Sequence, residues 1–113
     1  MNYSLKTYPI FDREAKRLAK RYKSLKQDIT ELARELLKAP ETGVDLGHGI
    51  HKVRMAIKSK RKGKSGGARV ITVIITLSQT EKQIGLHFIY DKSEQDNISN
   101  KELQDILKRN GIL

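Results

Sequence analysis

Apolar residues in the first third of the chain recur at helical spacing. Between Asp12 and Tyr22 they fall at Ala15, Leu18, Ala19 and Tyr22, the i, i+3, i+4, i+7 stripe of an amphipathic helix. Asp12 is the expected N-cap, and Glu14 suits the positive end of the helix. A second helix is predicted from Ser24, which stands at capping-box distance from Gln27. It runs through Ile29, Leu32, Ala33, Leu36 and Leu37 and stops before Pro40. The pair is either two helices or one kinked helix, and in both cases forms an apolar layer that needs a sheet against it.

The period then changes to two. Residues 50–58 (IHKVRMAIK) alternate, with Val53, Met55 and Ile57 on one face and Lys52, Arg54 and Lys58 on the other. Residues 69–77 (RVITVIITL) are apolar on both faces, as in a central strand covered from both sides. Residues 83–90 (QIGLHFIY) read as a third strand, with Ile84, Leu86, Phe88 and Tyr90 on one side and His87 as a packed or edge-strand histidine. Ser4 to Ile10 is a candidate edge strand, because Pro9 is tolerated only there or just outside. A last helix is announced by the capping box Ser99/Glu102, the stripe Leu103, Ile106 and Leu107, and Gly111 as the residue past its end. The predicted fold is α+β: two N-terminal helices packed on a small, mainly antiparallel β-sheet, with a C-terminal helix. At 113 residues, positions 1–113 make one domain.

Composition narrows the chemistry. There are no cysteines, so disulfides, zinc–cysteine sites and thiol nucleophiles are excluded. No membrane span and no leader are expected, which points to the cytoplasm. The formal net charge is +10, an excess that suits a polyanionic partner. The cations are concentrated: Lys52, Arg54, Lys58, Lys60, Arg61, Lys62, Lys64 and Arg69 occur within one stretch that contains no acid. They come from two adjacent strands and the connecting loop Ser59–Gly67 (SKRKGKSGG). Such a cluster holds phosphates in a salt-sensitive way. Composition alone fits a solvated hairpin tip at Lys58–Lys64 equally well.

Other motifs are weaker. His48 and His51 form a lone H-x-x-H with only Asp45 nearby, too few ligands for zinc, so no metal is expected. Gly63, Gly66 and Gly67 lack phosphate-loop spacing and read as hairpin flexibility. Asp91, Glu94 and Asp96 read as polar turn residues before the last helix, leaving no carboxylate pair for acid–base hydrolysis. Tyr90, at a strand end beside Lys92, has the chemistry to stack on a base or donate to a phosphate.

The segments KVR (52–54), GKSGGARVI (63–71) and IYDKSEQDNIS (89–99), with FDREAKRLAKRY at the front and a short terminal helix, together resemble the RelE/ParE toxin superfamily. More narrowly they are similar to the RelE-like HigB toxins of bacterial type II toxin–antitoxin modules. The resemblance implies a ribosome-dependent mRNA endoribonuclease that cuts in the decoding site of the 70S ribosome and is silenced by a cognate antitoxin. It implies no small-molecule cofactor. The family's basic strand residue falls at Arg54, its loop lysines at Lys62 and Lys64, its strand-opening arginine at Arg69, and its last-strand residues at Tyr90 and Lys92. Lys52, Lys58, Lys60 and Arg61 would add RNA contacts. Two departures stand out: residues 96–113 contain no tyrosine, where RelE has one, and Thr72 replaces an aromatic residue of many relatives.

The implied chemistry assigns roles. Attack by a 2′-hydroxyl needs a base, an acid for the leaving 5′-oxygen and charge at the phosphorus. Arginine keeps its proton, so Arg54 and Arg69 suit phosphate clamping. Lysine crowded by like charges is able to exchange one, which points to Lys62 or Lys64, with Lys92 in reserve. Two other classes share this sequence pattern: a ParE-type gyrase poison without nuclease activity, and a plain basic nucleic-acid-binding module.

Overall fold

The computed structural model describes residues 2–113. Along the chain they form β1 (Asn2–Thr7), α1 (Pro9–Arg21), α2 (Leu25–Lys38), β2 (Val44–Gly47) and β3 (Ile50–Met55). A 3-10 turn (Lys58–Lys60), β4 (Ala68–Thr76), β5 (Glu81–Asp91) and α3 (Asn100–Arg109) follow. The strands make one sheet in the order β1-β5-β4-β3-β2. Its pairings are antiparallel except β1 with β5, which is parallel. The α+β expectation is borne out, with β4 at the centre of the sheet. Among the described residues, no helix is long and apolar enough to cross a membrane.

The sheet is covered on both faces. On one, Phe11, Leu18, Leu25, Leu32 and Leu36 of α1 and α2 pack on Val53, Met55, Val70, Ile84, Leu86 and Ile89. On the other, Leu103, Ile106 and Leu107 of α3 pack on Ile71, Val73, Phe88 and Tyr90. Each fully buried aliphatic side chain contributes about 2 kcal/mol, so two opposed cores hold β4 and β5 from both sides.

Several boundaries differ from the sequence reading. Asp12 is not the N-cap: α1 starts at Pro9 with Tyr8 as the cap, because proline suits a first helical position whose N–H has no partner in any case. Pro9 and Ile10 are therefore helical, and β1 ends at Thr7. The helices are two. Ser24 does not cap α2 with its side chain; its hydroxyl donates to Asp28 Oδ2 at 2.7 Å and accepts from Ser59 N at 2.9 Å. β3 stops at Met55, so Lys58 belongs to the 3-10 turn and the strand itself carries two of the three predicted cations, Lys52 and Arg54. At α3 the cap is as expected, Ser99 Oγ accepting from Glu102 N at 3.1 Å, and Gly111 follows with φ +86°.

A further difference changes which side chains share a face. Ile71 pairs with Phe88 but Thr72 pairs with Leu86, so His87 is an extra residue in β5. A bulge of this kind shifts the alternation by one position. Ile84 and Leu86 consequently join the α1/α2 core, whereas Phe88 and Tyr90 join the α3 core. The extra residue is built in. The His87 ring stacks on Tyr8 with centroids 3.9 Å apart, and its Nδ1 lies 3.1 Å from Asn110 Nδ2.

Candidate RNA-cleaving site

Two strands and one loop bring the predicted cations together. Arg54 of β3 stands opposite Arg69 of β4, which stands opposite Tyr90 of β5. Like charges directly across a ladder are unfavourable, and neither arginine makes an ion pair among the described residues. Arg54 is exposed and lines a cavity of about 130 Å³ with Lys58, Lys64 and the α2 carboxylates Glu31 and Glu35.

Arg69, expected as a phosphate clamp beside Arg54, is placed differently. It is 7% exposed. Its Nη1 donates to Lys64 O at 3.0 Å and Ala68 O at 3.1 Å, and its Nη2 to Ser65 O at 3.3 Å. The guanidinium therefore underpins the loop as a strut while adding positive charge beneath it. Tyr90 is also buried, so it does not offer its ring to a base as expected. Its hydroxyl has no hydrogen-bond partner. Burial pushes that hydroxyl's pKa up, with Arg69 opposing.

The connecting segment is less free than a solvated tip. Ile57 is fully buried at its start. Lys58 N donates to Asp28 Oδ2 at 3.2 Å and Ser59 N to Ser24 Oγ at 2.9 Å, tying the 3-10 turn to the first turn of α2. Arg61 then adopts a left-handed φ of +59°. At the far end Lys92 N donates to Gly67 O at 3.0 Å. Gly67 meets the β3 end so closely that an added Cβ would lie 2.2 Å from Met55 O. Backbone cannot yield there as a side chain would, so Gly67→Ala is expected to cost about 2 kcal/mol. Urea unfolding of the variant beside the parent chain measures this; an unchanged midpoint would show that the loop has room to spare.

Lys60 and Asp91 require corrections. Lys60 was expected among the RNA contacts, but its side chain is 7% exposed and its Nζ lies 2.8 Å from Asp91 Oδ1. Asp91, read as a turn residue, ends β5 and is fully buried. It also accepts from Tyr22 OH at 2.5 Å and from Ser93 N and Oγ at 3.0 and 2.7 Å. Burial opposes its ionisation, but hydrogen bonds from Lys60, Tyr22 and Ser93 outweigh that and hold the carboxyl well below the usual range. Glu94 takes a different part, binding Arg17 and Arg21 of α1 at 2.9 and 2.7 Å.

The other predicted residues divide. Arg61, Lys62 and Lys64 are exposed on the loop. Lys58 pairs with Glu31 at 2.8 Å. Lys52 Nζ donates to Asn97 Oδ1 at 3.0 Å, and Lys92 Nζ to Asp96 O at 2.6 Å. His51 is buried opposite Thr72 in β4, on the side of Val53 and Met55, whereas His48 lines a groove against α3. Among the described residues no three His, Cys, Asp or Glu side chains group as a metal site. Sequence reasoning missed Tyr22, Asp28 and Asp91. Only Asp91 had a signal, since it continues the phase of Ile89 inside the strand.

What the arrangement offers is a cationic loop tied at both ends, three exposed cations on it, Arg54 beside it and Arg69 below. Such a surface has the chemistry to bind a phosphodiester and to stabilise charge developing on it. No curated protein matches the chain at significant similarity. A family model described as the RelE toxin of the RelE / RelB toxin–antitoxin system matches residues 6–112. That match spans nearly the whole fold and includes every residue of the cationic loop, so the chain belongs to the RelE toxin family.

Proposed function

We propose that this RelE-family toxin is a ribosome-dependent mRNA endoribonuclease of the HigB-like kind, acting in the cytoplasm on mRNA in the decoding site of the 70S ribosome. The observation that carries the reading is the acid-free loop 59–67, anchored at both ends, with Arg54, Lys62 and Lys64 exposed around it and Arg69 beneath. In the reaction the 2′-oxygen forms a bond to phosphorus and the P–O5′ bond breaks. The hydroxyl proton leaves to a base, and a proton reaches the departing 5′-oxygen. Arg54 holds the phosphate, and Arg69, buried beneath the loop, adds positive charge against the charge that develops there. Lys62 or Lys64 carries the proton, with Lys92 in reserve once it leaves Asp96. The cognate antitoxin carries an acidic segment that lies near the basic face, and silences the toxin either by covering that face or by making the complex too bulky for the ribosome.

With two Phe, four Tyr and no Trp, the chain has little aromatic surface for stacking RNA. The ribosome is accordingly assigned the positioning of substrate, which supplies much of a rate enhancement. Purified toxin added to ribosomes programmed with one defined codon, followed by primer extension, tests the reading. A cut within that codon and none in the same free mRNA is expected. No cut on any codon, combined with inhibition of gyrase supercoiling, would overturn it in favour of the ParE-type activity.

A further inference from the structure

One cation of the loop is withdrawn from any substrate. Lys60 Nζ is sealed against Asp91 Oδ1 at 2.8 Å and Ser93 Oγ at 3.3 Å, and lies 5.5 Å from the Tyr22 ring centroid. A buried ion pair is a poor way to stabilise a fold, because desolvation consumes most of the attraction and apolar residues of similar size do as well. What it supplies that apolar contact does not is a single geometry. That geometry is applied at a sensitive place. Lys60 immediately precedes Arg61, where the backbone turns left-handed. Asp91 sits opposite Ala68 in the ladder, and its neighbour Lys92 bonds Gly67 O. The two partners therefore hold the entry and the exit of residues 61–67 to the same end of β5.

We infer that Lys60 and Asp91 are a positioning pair, whose ion pair fixes the cationic loop over β3 and β4 so that Arg54, Lys62, Lys64 and Arg69 converge on one phosphate. Neither touches the substrate. The inference rests on the nuclease reading for its consequence, though not for its structural half.

The test replaces both charges together, Lys60→Met with Asp91→Asn, so that neither is left buried alone. Hydrogen exchange at the amides of Gly66, Gly67 and Lys92 reads the loop directly. In the double variant these amides are expected to exchange about tenfold faster while those of β4 are unchanged. On programmed ribosomes the cleavage rate at saturation is expected to fall about tenfold, with the half-saturating ribosome concentration unaltered. Lys60→Arg in the parent chain, which keeps both charges of the pair, is expected to retain most of the protection and of the cleavage rate. Should the double variant fail to fold, Tyr22→Phe removes one Asp91 donor and is expected to speed exchange of the same three amides. Unchanged exchange in the folded variants overturns the positioning role, and a loss confined to the half-saturating concentration would make Lys60 a substrate contact instead. If the parent chain cleaves nothing, the nuclease reading fails while the exchange result still decides the clamp.

Discussion

Arg69→Ala is expected to cleave ribosome-bound mRNA about a thousandfold more slowly than the parent chain, the scale on which losing a preorganised donor to a developing oxyanion is felt. Two losses combine. The charge that the nuclease reading sets beneath the scissile phosphate disappears, and three carbonyls, of Lys64, Ser65 and Ala68, lose their donor. The second loss also affects stability, at about 2 kcal/mol for acceptors left unpaired near the core. Arg69→Lys separates them, because an ammonium keeps the charge but does not span carbonyls that the planar guanidinium reaches from two nitrogens. It is expected to melt with the alanine variant and to retain a small part of the cleavage. Primer extension and thermal melting on the three proteins give the comparison. Cleavage by Arg69→Ala at the parent rate would reduce Arg69 to a strut and move the phosphate clamp to Arg54.

The second large effect is on acid stability. His87 is 1% exposed, and burial, followed by the charge of Lys6, pushes its pKa down to about 4 from 6.5. A histidine depressed in the folded state prefers to be neutral there, so protonation favours unfolding. Stability is full above pH 6.5 and is lost as pH falls from there toward 4. Between about pH 7 and about pH 4.5 the toxin is expected to lose about 2.5 kcal/mol of unfolding free energy from this group alone. The carboxylates held low by their partners, Asp91 and Glu94, contribute their own losses only at lower pH. His87→Gln keeps an acceptor for Asn110 without a titrating ring. Its urea-unfolding free energy is expected to stay nearly level over the same interval, and a slope equal to the parent's would assign the acid sensitivity to another group.

Much of this molecule can be read from side-chain periodicity, and the misses share a cause. Leu18, Leu32 and Leu36 declare their helices because their spacing repeats locally, as do Leu103, Ile106 and Leu107 in α3 and Val53 and Met55 in β3. The bulge at His87 is invisible to such counting, since an inserted residue leaves each half of β5 alternating correctly by itself. β2 is four residues, VDLG, too short to show any period. In the site, the face and the loop were legible because the cations adjoin one another in sequence. The partners of those cations were not. Lys60 finds Asp91 31 positions away, and Ser59 finds Ser24 35 positions away. Nothing in the residue types tells a buried acid from a turn acid.

The strand order has a bearing on when during synthesis the site comes together. Asn2 pairs with Glu81 and Thr7 with Leu86, so the first strand of the sheet to be made waits for the last. The strut Arg69 and the anchor Asp91 lie on β4 and β5, synthesised after both N-terminal helices. Contacts this distant in sequence form slowly, because the whole intervening loop has to close before any of them is rewarded. A nascent chain therefore does not have both the strut and the anchor of its cationic loop until the last strand has been made.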